Sequence, residues 1–143
     1  MKIRLIFLGK TRRAECRAML EDYFARIRRY ADLEIVELRE ESAALRRFEL
    51  DAADTNVFLD AGGSQRSTSE FAKWLRAQRE RGDSLSLNFL CGGAEGFPDS
   101  ITQQAGAKLS LSSLTMPHEL ARVVLAEQIY RAFTILAGHP YSK

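Results

Sequence analysis

The sequence is poor in the residues that most often build metal sites and disulfide frameworks. Its 143 residues include only two cysteines, Cys16 and Cys91, and only two histidines, His118 and His139. The cysteines are far apart and belong to no CxxC or Cys/His cluster, which argues against a zinc site and favours reduced thiols. The sequence therefore predicts no metal and a cytoplasmic protein.

Long hydrophobic runs and a strong charge of one sign are also missing. Apolar runs such as residues 5–8 are far too short to span a bilayer. The opening MKIRLIFLGK carries charge and no small-residue cleavage site, so we expect a strand there and neither a membrane segment nor a signal peptide. The formal net charge is only +2, so no overall field points to nucleic acid. The turn at residues 9–13 lacks a GxGxxG pattern, which leaves a Rossmann dinucleotide site unsupported.

The chain does contain a regular alternation of short apolar strands with helices. Strands are predicted over residues 2–8, 33–38, 56–60, 85–90 and 108–111, and helices over residues 13–30, 40–50, 70–81, 97–106 and 118–137. This pattern predicts an α/β fold, with a mainly parallel five-stranded sheet flanked by helices. The length, with no linker or repeat, predicts a single domain over residues 1–143.

The last predicted helix, residues 118–137, is apolar nearly all round. One sheet face cannot cover such a helix, so we expect other parts of the chain to wrap it and a second copy to pack on it. Pro117 suits the first helical turn, and Thr115 is a better candidate than Met116 for the cap. Arg122 is either a structural partner on this helix or a group near the reaction centre.

The turns after the third, fourth and fifth strands are residues 59–63, 91–96 and 111–117. Because parallel sheets bind ligands outside the carboxyl ends of their strands, these turns predict a ligand site. The glycines Gly92, Gly93 and Gly96 fit either a tight turn that needs positive φ or a close approach of backbone to ligand. No Lys-Ser/Thr pair follows them, so they do not form a phosphate-binding P-loop.

The same stretches carry a resemblance to a known family. LSLSSLTMPHELARVVLAEQIYRAF and the ending GHPYSK, together with FLCGGAEGFP, FLDAGG and MKIRLIFLGK, closely resemble the ribosomal RNA large-subunit methyltransferase H family. These are small S-adenosylmethionine-dependent methyltransferases of the SPOUT class. The resemblance covers the chain end to end. It implies a C-terminal trefoil knot, which periodicity could not show, a homodimer, and methylation of ring N3 of a pseudouridine in 23S ribosomal RNA of assembled ribosomes, without metal.

The family's cofactor contacts carry over to the three turns named above. They fall on Leu59, Gly92, Leu111, Ser112, Ser113, Leu114, Thr115 and Met116. Loops poor in charge suit S-adenosylmethionine, which has an apolar adenine and no phosphate. We expect the absent side chain of Gly92 to leave room for the ligand, so that Gly92→Val abolishes cofactor binding while the fold survives.

The tail departs from the family at one position. The family usually ends Tyr-His-Lys or Tyr-His-Arg, whereas this chain ends Tyr141-Ser142-Lys143. The family histidine would accept the N3 proton of the target base, and serine lacks that basicity. Because Pro140 ends the helix, we expect the tail to fold back toward the cofactor loops. Either His139 replaces the missing base, with Tyr141 orienting the RNA, or solvent removes the proton; we favour His139 as the nearby imidazole.

Basic residues are concentrated in the first third of the chain. They are Lys10, Arg12, Arg13, Arg17, Arg26, Arg28 and Arg29. Such a set fits a solvated face or an RNA-backbone footprint, with Lys10, Arg12 and Arg13 as the expected phosphate contacts. Two other functions stay open: a non-catalytic RNA-binding relative that still binds S-adenosylmethionine, and a flavodoxin-like nucleotide or flavin binder. Cofactor binding without transfer would indicate the first, and tight flavin binding the second.

Overall fold

The fold is built on a five-stranded sheet in which all neighbouring strands are parallel. The computed structural model describes residues 1–40, 45, 47–82, 85–104 and 106–141. The strands are β1 (Lys2–Leu8), β2 (Asp32–Leu38), β3 (Thr55–Gln65), β4 (Leu87–Cys91) and β5 (Ala107–Ser110), in the order β2-β1-β4-β3-β5. The predicted parallel sheet is confirmed. Strand order does not test the trefoil knot, which stays a prediction.

Helices cover both faces of this sheet. They are α1 (Ala14–Ile27), α2 (Thr68–Glu80), the single turn α3 (Asp99–Thr102) and α4 (His118–Ala137). On one face α1, α2 and α4 share a core with Phe7, Phe89 and other alternate strand residues. On the other face Leu90 and its neighbours pack with Ile101 of α3 and with Leu45. Of the predicted helix over residues 40–50, residues 41–44 and 46 lie outside the described residues, and residues 48–50 are not helical.

Helix α4 is wrapped by its own chain more fully than one sheet face would allow. It packs between α1 and α2 and over β4, and its buried side chains include Val123, Leu125, Ile129 and Phe133. Its bounds match the predicted residues 118–137. The predicted Thr115 cap is wrong, because Pro117 itself occupies the cap position and no side chain caps the helix. At the other end, Gly138 adopts a left-handed φ of 68° and ends the helix.

Residues 61–63 do not form the turn that was predicted to end the third strand. Strand β3 continues to Gln65, and both Leu59 and Ser64 lie opposite Leu109 of β5, so the residues between them bulge out of register. Gly63 permits the tight return of the strand, since a Cβ there would lie 2.7 Å from the backbone carbonyl carbon of Lys108. The bulge places Asp60 and Ala61 at the carboxyl end of the sheet.

Gly63 should therefore tolerate no side chain. We expect Gly63→Ala to destabilise the fold by about 1–3 kcal/mol, because the added carbon must displace backbone atoms of β5. Urea unfolding measures the change. Gly82→Ala is the matched control, since a Cβ there meets no atom within 4 Å and the change should be neutral or slightly stabilising. Equal unfolding midpoints for the two variants would contradict the close approach.

Candidate functional site

The three predicted turns meet in one cleft at the carboxyl end of the sheet. The cleft has a volume of about 220 Å³ and is lined by Leu59, Asp60, Ala61, Cys91, Gly92, Gly93, Gly96, Leu111, Ser112, Leu114, Thr115, Met116, His118 and Ala121. Seven of the eight residues predicted to contact the cofactor are among these. The eighth, Ser113, is exposed in the same loop but does not line the cleft. We refer to this space as the cofactor cleft.

Serine hydroxyls hold the loop after β5 in place. The Ser110 hydroxyl donates to the Ser112 carbonyl at 3.0 Å, and the Leu114 amide donates to the Ser112 hydroxyl at 3.0 Å. These bonds leave Leu114 78% exposed at the mouth of the cleft. An apolar side chain held in solvent, above a cleft with few charged groups, fits a flat apolar group such as adenine. The lining therefore suits S-adenosylmethionine as a ligand.

Gly92 is constrained by its own loop as well as lining the cleft. A Cβ there would lie 2.9 Å from backbone atoms of Gly96 and 3.3 Å from the Phe97 amide nitrogen. The absent side chain thus lets the glycine-rich loop close on itself, which supports the tight-turn interpretation of this glycine. Gly92→Val would distort that loop, so the expectation that the fold survives unchanged is not supported.

The start of α4 is anchored to the loop between β1 and α1 by a fully buried arginine. Arg122 is 0% exposed, and its guanidinium donates to the carbonyls of Leu8 at 2.7 Å and Gly9 at 3.1 Å and to the Thr11 hydroxyl at 3.0 Å. It also lies 4.6 Å from the centre of the Phe7 ring. In the described part of the chain no carboxylate forms a salt bridge with it. Burial lowers the pKa of Arg122 from its ordinary value.

Glu119, one turn earlier, fastens the other end of that loop. Its Oε1 accepts hydrogen bonds from the backbone amides of Arg12 at 3.0 Å and Arg13 at 2.9 Å, at the N-terminus of α1. Burial alone would raise the pKa of Glu119, but these two amides outweigh it and hold the pKa below its ordinary value. Apart from the acidic residue in the first turn of α4, no sequence pattern indicated this contact.

The tail packs against the far end of α4 and α1, not against the cofactor cleft. The His139 Nδ1 lies 2.6 Å from the Tyr30 hydroxyl, and the ring of Tyr141 lies edge-on to that of Tyr130 at 4.8 Å, with the Arg131 guanidinium 4.6 Å away. Burial and a hydrogen bond with Tyr23 raise the pKa of Tyr141 to about 12. Ser142 lies outside the described residues.

The predicted return of the tail to its own cofactor loops is therefore wrong for a single chain. The cleft includes His118 at the start of α4, and His139 follows the end of this 20-residue helix. At 1.5 Å per residue, α4 separates the two by roughly 30 Å. Tyr30 fixes the imidazole in that distant position. His139 and Tyr141 lie together, but apart from the predicted cofactor residues.

Comparison with known proteins assigns the family. A family model described as a predicted SPOUT methyltransferase matches residues 1–142. Relatives named ribosomal RNA large subunit methyltransferase H are 41% identical in Geobacter sp. over 99% of this chain and 98% of theirs, and 41% identical in Thermus thermophilus over 100% of this chain and 99% of theirs. The chain belongs to this SPOUT methyltransferase family.

A more distant likeness is found among solved structures. A methyltransferase from Legionella pneumophila with bound S-adenosylmethionine aligns with a TM-score of 0.48 and 14% identity, over 92% of this chain and 66% of that one. Likeness at this level carries no conclusion about the site. Membership of the methyltransferase family itself rests on the full-length matches, and it sets aside the flavodoxin-like alternative.

Within the described ranges, no three His, Cys, Asp or Glu side chains lie close enough together to hold a metal ion. None of the helices in those ranges combines the length and the apolar character that a bilayer-spanning segment requires.

Two residues of the cleft, His118 and Ala121, lie outside the three predicted turns. The signal that could have found Ala121 is its spacing of three from His118, which places both on one face of α4. Cys91, also in the lining, is buried, and burial raises the pKa of its thiol to about 12, so it stays neutral at physiological pH.

Removing the Arg122 guanidinium should be costly for stability. Arg122→Ala leaves three buried acceptors without donors and opens a cavity, so we expect a loss of at least ~3 kcal/mol in unfolding free energy. Arg122→Lys should not restore stability, since one ammonium cannot reproduce the planar fork. Arg76→Ala, which removes an exposed i,i+4 pair with Glu80, should cost under about 1 kcal/mol in the same urea titration. Similar losses for Arg76 and Arg122 would contradict the anchoring role.

Proposed function

We propose that this protein transfers the methyl group of S-adenosylmethionine to ring N3 of a pseudouridine in the 23S RNA of the large ribosomal subunit. The observation that carries the proposal is full-length membership in a methyltransferase family whose relatives are named for large-subunit ribosomal RNA. The low-charge cofactor cleft at the carboxyl end of the sheet supports it.

The cleft residues have clear tasks in such a reaction. Leu59, Leu111 and Leu114 would cover the adenine, and the backbone of the loop after β5 would bond its polar edge. S-adenosylmethionine supplies a methyl group on a sulfonium that is already a good leaving group. The protein's own contribution is then to hold cofactor and base in line. Because the target N3–H must also lose its proton, a base in the site would add a further gain in rate.

A homodimer would supply the base that a single chain leaves roughly 30 Å away. On the outer side of α4, Leu120 is 44% exposed and Ile135 is 49% exposed. These two apolar side chains are available for contact with a second copy. In a two-fold contact whose axis is perpendicular to α4, the same patch meets itself and the two helices run antiparallel, so the start of one helix lies beside the end of the other. The tail of one chain, with His139 and Tyr141, would then approach the cofactor cleft of its partner.

We place the reaction in the cytoplasm, on assembled ribosomal subunits. A chain of net charge +2 has little long-range attraction for free RNA. Recognition therefore depends on the shape of the folded subunit as well as on phosphate contacts by Lys10, Arg12 and Arg13. Efficient methylation of a short free hairpin would contradict this requirement.

The direct test is methylation of large subunits that lack the modification. Purified protein, S-adenosylmethionine and such subunits should yield a pseudouridine carrying one added methyl group at N3, identified by mass spectrometry of the isolated nucleoside. Cofactor binding in calorimetry without methyl transfer would instead support the non-catalytic relative. Methylation of a different nucleoside would refute the assigned target.

The exposed leucine at the mouth of the cleft offers a sharp test of the cofactor site. Leu114→Ala should weaken S-adenosylmethionine binding by about tenfold in calorimetry, because part of the apolar cover of the adenine is lost. Stability should change little, since Leu114 is 78% exposed. Leu85→Ala is the control, because Leu85 is 68% exposed just before β4, at the amino end of that strand and away from the cleft. Equal affinities for the two variants would remove the loop after β5 from the site.

His139 should act as the base in the absence of the family histidine. We expect His139→Ala to lower the single-turnover rate by about tenfold or more, the lower part of the general-base range. Ser142→Ala should matter much less, and Ser142→His should restore activity to the His139→Ala variant. For Nε2 to accept a proton, Nδ1 must carry the hydrogen and donate it to the Tyr30 oxygen. If His139→Ala methylates at the parent rate across pH 6–9, His139 is not the base.

Mixing two defective variants should show whether the site is shared between subunits. A dimer of one Leu114→Asp chain and one His139→Ala chain has one site in which both residues are intact, provided that the tail serves the partner's cleft. We therefore expect activity to recover after the two variants are unfolded together and refolded. If the tail served its own cleft, every site would carry a defect and no activity would return.

A further inference from the structure

A second, larger depression borders the cofactor cleft on the side of β1 and β2. It has a volume of about 890 Å³ and lies between the β1–α1 loop and the end of β2, lined by Lys10, Arg12, Arg17, Glu37, Arg39 and Glu40 together with Leu8, Gly9, Thr11 and His118. We call it the loop groove. The cofactor cleft uses the ends of β3, β4 and β5, whereas the loop groove uses the ends of β1 and β2.

The two depressions meet at His118 and at the carboxylate of Glu40. His118 lines both of them. The Glu40 Oε1 lies 2.7 Å from the Cβ position of Gly93, which lines the cofactor cleft, and 3.3 Å from that of Gly9, which lines the loop groove. The carboxylate thus rests over the backbone of two glycines, at the border between the spaces. Neither glycine could carry a side chain without displacing it.

The charges of the loop groove are arranged unevenly. Lys10, Arg12 and Arg39 are exposed cations on its two walls, and the Arg17 guanidinium supports one wall by donating to the carbonyls of Thr11 and Arg12. Phosphates of an RNA strand suit such walls. The negative charge of Glu40 would repel a phosphate. The carboxylate fits the part of a nucleotide that offers N–H donors, namely the base.

The wall of the groove that carries Lys10 and Arg12 is preformed. Arg122 and Glu119 tie both ends of the β1–α1 loop to the first turns of α4, with bonds of 2.7–3.1 Å. His118, on the same turns, faces the cofactor cleft. The spacing between the loop groove and the cleft is therefore held by buried contacts. Binding of a nucleotide would therefore not require this wall to become ordered first.

We propose that the loop groove seats the target nucleotide and that Glu40 accepts a hydrogen bond from the N1–H of its base. This rests on the proposed function, because it places the reacting ring beside the cofactor cleft. Pseudouridine carries an N1–H donor where uridine carries a C–H. A carboxylate at that edge selects the first base over the second, since a site built to accept an N–H leaves its acceptor unpaired when the donor is absent. Glu40 is thus a specificity-determining residue.

The test compares large subunits that carry pseudouridine at the target position with subunits that carry uridine there. Glu40→Ala should lower kcat/KM on the pseudouridine substrate by about tenfold to a hundredfold, the range of a hydrogen bond to a charged group. The ratio of the two kcat/KM values should fall toward one. Glu40→Gln should keep part of the selectivity, because its amide oxygen still accepts. Glu34→Ala, within β2 and paired with Arg4, should leave the ratio unchanged.

Two further measurements keep the outcomes distinct. Glu40→Ala should bind S-adenosylmethionine as the parent does, so a loss of cofactor affinity would assign Glu40 to the cleft and overturn the proposal. An equal loss on both substrates, or no loss on either, would also overturn it. If the parent methylates neither substrate, the proposed function itself fails.

The walls of the groove are tested through salt dependence. Lys10→Glu and Arg12→Glu should weaken binding to large subunits and flatten the plot of log affinity against log salt, since each removes one phosphate contact. The backbone amide of Arg12 that bonds Glu119 is kept in this variant. Arg79→Glu, in the last turn of α2, changes the net charge by the same amount but lies toward the amino end of the strands. Equal effects from Arg79→Glu would show that only overall charge matters and would exclude the groove as the seat.

Discussion

One buried guanidinium joins the parts of this protein that must act together. Arg122 lies on the helix that borders the cofactor cleft, yet its hydrogen bonds run to the end of β1 and the loop that follows. A buried cation without a salt-bridge partner in the described chain is expensive, so it persists only where its bonds are nearly complete. Here three backbone or hydroxyl acceptors and an aromatic ring surround it. The position of the basic loop relative to the cleft follows from this arrangement.

The carboxyl ends of the five strands consequently border two different depressions. On the side of β3, β4 and β5, loops with few charges form a cleft suited to an apolar ligand. On the side of β1 and β2, a charged groove opens toward solvent. The strand order β2-β1-β4-β3-β5 makes the two spaces neighbours, because β4 of the first group pairs with β1 of the second. A methyl donor and a nucleotide bound in these spaces would meet at the end of β4.

In the proposed homodimer, the second chain would contribute to chemistry as well as to packing. The bond between Tyr30 and His139 holds the imidazole at the far end of α4. A two-fold contact with its axis perpendicular to α4 would bring the end of one helix near the start of the other. The exposed leucine and isoleucine on the outer side of α4 are the apolar surface that such a contact would bury.

The sequence by itself determined the number of strands and their alternation with helices, the bounds of α4 and the three loops that line the cleft, whereas the order of the strands in the sheet came from the structure. Local signals were sufficient there, because apolar runs, glycine turns and the carboxyl ends of parallel strands have regular spacings. The resemblance of the last third then indicated the family. Tertiary structure alone decided why Gly92 is glycine, how Gly63 returns β3 to the sheet, what Arg122 and Glu119 hold, and where His139 lies. Apart from Gly92, whose close contacts lie within its own loop, these features depend on contacts between residues distant in sequence, and Arg122 reaches partners more than 110 positions away. No periodicity in the chain encodes such a contact, because the packing of α4 against β1 creates it.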